Sequence, residues 1–196
     1  MQGVKIAISG AQSTGKTTLI DLLFAEEMFH YTFALAQSPT RIVEEQGYKI
    51  NEIGGDKTQL LICSKHIENY IENSREEDNV IFDRCALDGF VYTSYLYCHN
   101  KVEKSTLKLA ESVFHSLINK YDIIFYIPPE IPLANDGVRS VNTAFRDEVV
   151  QIFDEYIKFY RLPVIEVSGN AAVRVEKIKQ ATRSIQEAKK KRYGSQ

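Results

Sequence analysis

Gly10-Ala11-Gln12-Ser13-Thr14-Gly15-Lys16-Thr17 sets a glycine at each end of a short spacer, then a lysine and a hydroxyl. This is the pattern G-x-x-x-x-G-K-[ST] at every fixed position. Glycines let a chain curl so that successive backbone N–H groups converge on the oxygens of an anion. The first turn of a following helix adds unpaired N–H donors and the positive end of its dipole. Lys16 then supplies a cation for the β and γ phosphates of a nucleotide, and the Thr17 hydroxyl offers a ligand to Mg²⁺. The stretch predicts ATP and Mg²⁺ as cofactors, held by Gly10, Ser13, Thr14, Gly15, Lys16, Thr17 and Thr18. Its surroundings agree, because an apolar run precedes it at 4–9 and an amphipathic stretch with Leu19, Leu22 and Leu23 follows.

Outward from this loop, short apolar runs alternate with longer amphipathic ones. Strands are expected at 4–9, 31–35, 80–82, 123–127 and 164–167, and helices at 16–28, 39–46, 57–76, 87–98, 105–119, 143–160 and 172–190. Pro39 suits a first helical turn, where its missing N–H costs nothing. The stretch 57–76 carries an apolar stripe, Leu60, Ser64, Ile67 and Ile71, at helical spacing. Continuously apolar strands separated by helices imply an α/β fold: a five-stranded parallel sheet with helices on both faces. Ligands of such sheets bind at the carboxyl ends of the strands.

The 196 residues fit one domain spanning 1–196. A net charge of -2 gives no push toward duplex DNA or an anionic membrane. Three cysteines, an odd number without a CxxC pair, fit free thiols in a reducing compartment. The four histidines show no metal-ligand spacing, and no stretch has the apolar length of a membrane span. These features lead us to expect a cytoplasmic protein with no membrane partner.

A second acidic site follows the third apolar run, in Val80-Ile81-Phe82-Asp83-Arg84. A carboxylate there lies beside the phosphate loop, where Asp83 can hold Mg²⁺ or orient a nucleophile. Mechanical ATPases usually follow this acid with a second carboxylate. Arg84 instead suits an enzyme that holds another anion, such as a substrate phosphate, although charged pairs also end strands without function. Asp88 either meets a substrate or sits favourably on a helix N-terminus. Phe90, Tyr92, Tyr95 and Tyr97 could stack a base near the site, though most have the spacing of core packing; Lys189-Lys190-Lys191-Arg192 could contact nucleic acid but reads as a solvated helix end.

Together the loop, Asp83-Arg84 and a later arginine-bearing segment resemble the nucleoside and nucleotide monophosphate kinase group of P-loop proteins. Within that group the chain resembles the ATPase/kinase domain of ribosylnicotinamide kinases and phage-type nucleotide kinases. Three segments carry this likeness: Pro39-Thr40-Arg41-Ile42-Val43-Glu44-Glu45, Asp83-Arg84-Cys85-Ala86-Leu87-Asp88 and Asp136-Gly137-Val138-Arg139-Ser140. The resemblance implies a lid at about 130–142 whose arginines reach the transferred phosphoryl group, Arg139 first and Arg146 second. It also places Arg41 and Glu44 in the acceptor-binding region, with Arg84 and Asp88 nearby. A guanidinium on a mobile loop neutralises developing charge, and closure excludes water. Such kinases often carry a carboxylate base after the second strand, where this chain has only Gln37-Ser38, so Asp83 is the first choice of base.

The expectation is therefore a Mg-ATP-dependent phosphotransferase acting on a nucleoside or nucleoside monophosphate, with Lys16, Asp83 and Arg139 as its catalytic groups. A kinase acting on a modified base or end within DNA is an alternative, not favoured by the near-neutral charge. A regulatory P-loop NTPase without a small acceptor is another. The exposed helices leave room for a homodimer.

Overall fold

In the computed structural model, which describes residues 3–73, 75, 78–130 and 142–193, the strands are β1 (Lys5–Ser9), β2 (Ala34–Ala36), β3 (Val80–Asp83), β4 (Ile123–Tyr126) and β5 (Val164–Glu166). They form one parallel sheet in the order β2-β3-β1-β4-β5. The helices are α1 (Lys16–Ala25), α2 (Glu27–His30), α3 (Pro39–Glu45), α4 (Asp56–Asn73), α5 (Ala86–Cys98), α6 (Lys104–Leu117), α7 (Thr143–Phe159) and α8 (Ala171–Tyr193).

The pleat explains the two-sided core, because successive side chains point to opposite faces. Ile6, Ile8, Ile81, Ile123 and Phe125 pack with residues of α1 and α8. Ala7, Val80, Phe82, Ile124 and Tyr126 pack with residues of α5, α6 and α7. Burial on both faces is why these strands read as unbroken apolar runs. Each fully buried Ile or Phe contributes about 1.5–3 kcal/mol. β1 and β3 are neighbours, yet α1 leaves β1 toward one face and α5 leaves β3 toward the other. A crevice therefore opens at their carboxyl ends, as at a topological switch point.

The structure departs from the sequence expectation in three places. The helix at 16–28 is broken at Glu26, which is extended at φ -84°, ψ 131°, and caps both α1 and α2. The second strand starts at Ala34, later than 31–35, because the Phe33 N–H is still bonded to the Phe29 carbonyl at 3.0 Å. Ala34 N–H is the first to turn to a new partner, the Asn79 carbonyl at 2.9 Å. On α4, Leu60, Ile67 and Ile71 lie exposed, while Thr58, Gln59, Ile62, Cys63, His66 and Asn69 are buried. Polar groups occupy the inner face because they are partnered there: Thr93 Oγ1 donates to Gln59 Oε1 (2.9 Å) and Asn69 Nδ2 to the Gln37 carbonyl (2.5 Å).

α5 approaches α4 at Gly89, where a Cβ would stand 3.0 Å from His66 Cδ2. His66 is buried, and its Nε2 has no partner among the described residues. Burial pulls its pKa from 6.5 down to about 4; Asp88 opposes that shift and Arg84 adds to it. The unfolded chain thus takes up a proton between these values that the folded chain refuses, so stability falls as pH drops through that window. The expected loss is on the order of 3 kcal/mol. It is read as a urea midpoint that decreases from pH 6.5 to 4, with a shallower decrease in His66→Asn. Equal slopes in parent and variant would contradict a buried neutral imidazole.

Candidate functional site

The loop between β1 and α1 is shaped by conformations that few residues adopt. Gly10 has φ +142°, and a Cβ there would lie 2.6 Å from the Ile127 carbonyl oxygen. Ser13 (φ 58°) and Gly15 (φ 83°) are left-handed, and Gly15 is the N-cap of α1. Lys16 is buried, with Nζ donating to the Gly10 carbonyl (2.8 Å), the Ala11 carbonyl and Thr14 Oγ1 (3.1 Å). Gln12 Nε2 and Ser13 Oγ are buried donors with no partner among the described residues. Such donors match the surplus acceptor oxygens of a polyphosphate.

The end of β3 is locked to this loop. Asp83 pairs with Ile8 in register and is 7% exposed. Arg84 has φ 74°, a conformation costing about 1–3 kcal/mol in a non-glycine residue. Its N–H bonds to the Ile8 carbonyl at 2.9 Å. Its guanidinium lies 3.0 Å from Asp88 Oδ1 and 3.4 Å from the Gly10 carbonyl oxygen. The same group stands over the Tyr92 ring, 5.4 Å from the centroid. Tyr92 Oη donates to Gln12 Oε1 at 2.8 Å. Burial raises the Tyr92 pKa, with the Arg84 charge pulling the other way.

Above the loop lies a cavity of about 220 Å³. Its loop wall is formed by 12–17, with Asp83 and Arg84 beside it. The facing wall is Ser38, Arg41, Glu44, Ile50 and Asn51. Ser38 caps α3, its hydroxyl accepting from the Arg41 N–H at 3.5 Å, and so positions the helix that carries Arg41 and Glu44. Arg41 Nη2 donates to Thr17 Oγ1 at 3.2 Å, bridging the two walls. A second depression of about 190 Å³ lies on the other side of Gly15. There Thr18, Leu19 and Leu22 face Gly169, Asn170 and Arg174 across a mostly apolar gap.

The structure thus brings Ser13, Thr14, Gly15, Lys16, Thr17, Arg41, Glu44, Asp83 and Arg84 to one cavity, with Gly10 beneath them and Thr18 in the neighbouring depression. Asp88 is placed otherwise. It is 2% exposed behind Arg84, outside the cavity lining, and accepts from Ser9 Oγ (2.7 Å) and the Cys85 N–H (3.0 Å) as part of the capping box of α5. In this position its described hydrogen bonds all go to protein groups. Arg146, in the first turn of α7, is also outside the described lining, with Nε 4.0 Å from Asp147 Oδ1. Arg139 and the segment 136–140 lie outside the described residues, as does the proposed lid apart from its ends.

Mg²⁺ prefers hard oxygen ligands and commonly takes one or two from the protein, with phosphates and water completing its shell. Thr17 and Asp83 line the same cavity and fit that donor set. No group of three or more His, Cys, Asp or Glu able to hold a metal occurs among the described residues, and this mode of binding needs none.

Sequence reasoning passed over Gln12, Asn51 and Arg174, named Ser38 only for lacking a carboxylate, and read Tyr92 with the core-packing aromatics. Tyr92 had a usable signal, since it stands four residues after Asp88 and shares its face of α5. Asn51 is left-handed at φ 57°, a conformation asparagine tolerates but does not announce.

A family model described as an AAA domain matches residues 5–174. No curated protein matches the chain. Among solved structures the fold is similar to deoxyadenosine kinase from M. mycoides with bound dCTP, with a TM-score of 0.67 at 19% identity, covering 92% of this chain and 100% of that one. It is similar also to NadR in complex with NR, with a TM-score of 0.66 at 20% identity, covering 86% of this chain and 46% of that one. Thymidylate kinase from Candida albicans gives 0.60 at 16% identity, covering 94% and 93%. The chain therefore spans about half the NadR chain and all of the deoxyadenosine kinase. These likenesses give it the fold of the P-loop nucleoside and nucleotide kinase group.

Arg174 ties the distant parts of this site together. It is 4% exposed; Nη1 donates to the Thr14 carbonyl and Nη2 to Glu130 Oε2, both at 2.9 Å. Glu130 Oε2 also accepts from the Gly169 N–H at 2.7 Å. The Arg174 hydrogen bond, then the Gly169 one, holds the Glu130 carboxyl below its ordinary range. Loss of the Arg174–Thr14 bond alone is expected to cost about 1–3 kcal/mol. Arg174→Ala should lower the urea midpoint accordingly, and Arg174→Lys should recover only part of it, lacking the fork that reaches both acceptors. An unchanged midpoint in Arg174→Ala would show that the loop is held without it.

Proposed function

The chain belongs to the AAA domain family, whose model spans residues 5–174, and from that premise we propose a Mg-ATP-dependent phosphotransferase acting on a nucleoside or nucleoside monophosphate. The observation that carries this reading is the two-walled cavity. One wall is a phosphate loop with Asp83-Arg84, and the other presents a cation, a carboxylate and an amide on Arg41, Glu44 and Asn51. A hydrolase needs only water opposite its phosphate loop, whereas a wall of mixed polar groups suits an organic acceptor. The kinases of similar fold support the same class of reaction.

In this reading the base of ATP occupies the depression beside Thr18 and Leu22, and its phosphates run along the loop into the cavity. Lys16 leaves the Gly10 and Ala11 carbonyls it now contacts and takes the β and γ oxygens. Thr17 and Asp83 would hold Mg²⁺, which would supply charge neutralisation of those phosphates. Arg84, fixed by Asp88, is a preorganised positive wall for the migrating phosphoryl group. Arg41 is exposed and bound only lightly at Thr17, so it is free to anchor the acceptor, with Glu44 receiving a ribose hydroxyl. Asp83 accepts the proton of the attacking hydroxyl. Arg139 joins the cationic set, as the family resemblance implies, with Arg146 as its second. Positioning and charge stabilisation carry nearly all of such a reaction.

The deciding measurement is ADP release with Mg-ATP against a panel of nucleosides, nucleoside monophosphates and an oligonucleotide bearing a hydroxymethyl base. One small acceptor is expected to raise turnover well above background, and Lys16→Ala to lower it at least about a hundredfold with the fold intact. Hydrolysis that ignores every acceptor would overturn the kinase in favour of a regulatory NTPase. Stimulation by the oligonucleotide alone would move the acceptor into nucleic acid.

A further inference from the structure

Gln12 stands at one of the four variable positions of the phosphate-loop pattern, which does not require its side chain. It is nonetheless 5% exposed and lines the cavity. Its two polar ends are treated differently. Oε1 accepts from Tyr92 Oη at 2.8 Å, while Nε2 is buried with no partner among the described residues. The orientation follows from the neighbours. Arg84, which stands over Tyr92, can only donate. With a donor-only guanidinium on that side, the Tyr92 hydroxyl is left to direct its own proton to Gln12. The amide must then present oxygen to Tyr92 and keep both N–H bonds for something else. A buried amide donor left unpaired is unfavourable, and an anion in the cavity would give it acceptors.

Position along the loop says which part of an anion this is. The cavity and the apolar depression share only Gly15. A nucleotide whose base lies in the depression passes Gly15 with its first phosphates. Its last phosphate then lies farthest from the base, toward Gln12, Asp83 and Arg84. We propose that Gln12 is a catalytic residue whose side-chain amide donates to the terminal phosphoryl group of a nucleoside triphosphate, with Tyr92 as the positioning residue that sets the amide. Gln12 thereby distinguishes a triphosphate from a diphosphate, a task the backbone donors of the loop share out over all the phosphates. This assignment rests on the reading of the cavity as a site for Mg-ATP.

Calorimetry on the full chain separates the two ideas, using ATP against ADP and inorganic tripolyphosphate against pyrophosphate, each with Mg²⁺. Gln12→Ala is expected to weaken ATP and tripolyphosphate about tenfold or more, the worth of one hydrogen bond to a charged group, and to leave ADP and pyrophosphate nearly unchanged. Gln12→Glu keeps the acceptor for Tyr92 but replaces the donor with a charge, so it should weaken ATP further still. Tyr92→Phe should act in the same direction, more weakly, and add nothing in the Gln12→Ala background. Equal losses for ATP and ADP in both Gln12 variants, or no loss at all, would overturn the assignment. Additive effects of Tyr92→Phe and Gln12→Ala would remove Tyr92 from it. If the parent protein shows no acceptor-stimulated turnover while its preference for ATP over ADP still depends on Gln12, the kinase reading fails and the Gln12 assignment is supported.

Discussion

The carboxylate of Asp88 is the point on which the site is built. At 2% exposure it accepts from Ser9 Oγ, the Gly10 N–H, Arg84 Nη1 and the Cys85 N–H. These donors belong to the end of β1, the first residue of the phosphate loop, the end of β3 and the cap of α5. A buried carboxylate is tolerated only when a countercharge and enough hydrogen bonds replace its water, and here each donor is a structural element that must arrive in place. The desolvation cost of one ion thus becomes a geometric condition that joins two stretches far apart in sequence, Ser9-Gly10 and Arg84-Cys85. Through Arg84 the condition extends to Tyr92, and through Tyr92 to Gln12.

Strain is gathered at the same place. Among the described residues, five non-glycine positions have positive φ, and three of them, Ser13, Asn51 and Arg84, line the cavity. Each such position costs about 1–3 kcal/mol and persists only where its surroundings over-determine it. For Arg84 the surroundings are clear: a backbone bond to Ile8, the Asp88 carboxylate and the Gly10 carbonyl. The left-handed turn brings the guanidinium back over the loop instead of letting it continue away from β3. Glycine would relieve the strain and lose the charge. The cavity therefore carries two kinds of cation. Arg84 is rigid, and Arg41 is exposed with a single side-chain contact across the gap.

The sequence made the phosphate loop and Asp83-Arg84 legible because both depend on spacings of a few residues next to apolar runs. The parallel sheet followed from the same runs, since burial on both faces leaves no polar alternation to confuse them. What escaped depended on pairing between distant segments. The inner face of α4 is partly polar, because Gln59 and Asn69 find acceptors and donors on α5 and after β2, and no local pattern reveals that. Asp88 read as suited to a substrate or a helix cap, and no local spacing shows the convergence of Ser9 and Gly10 on it. Arg174 reaches Thr14 across 160 residues of sequence, which no spacing rule spans. Arg139 lies with the lid segment outside the described residues.

The balance of charge in the cavity bears on what the site can do. Lys16, Arg41 and Arg84 line it against Glu44 and Asp83. The two acids stand on opposite walls, Asp83 at the end of β3 and Glu44 on α3. Activation of water for hydrolysis favours a second carboxylate directly beside the strand-end acid, where the terminal phosphate is attacked. That position is Arg84 here, a guanidinium paired with Asp88, and a guanidinium is a donor that cannot accept a proton. Glu44 is carried by a helix whose placement depends on the Ser38 cap, on the wall facing the loop. The cavity therefore sets one carboxylate on each wall, with a guanidinium in place of a second carboxylate beside Asp83.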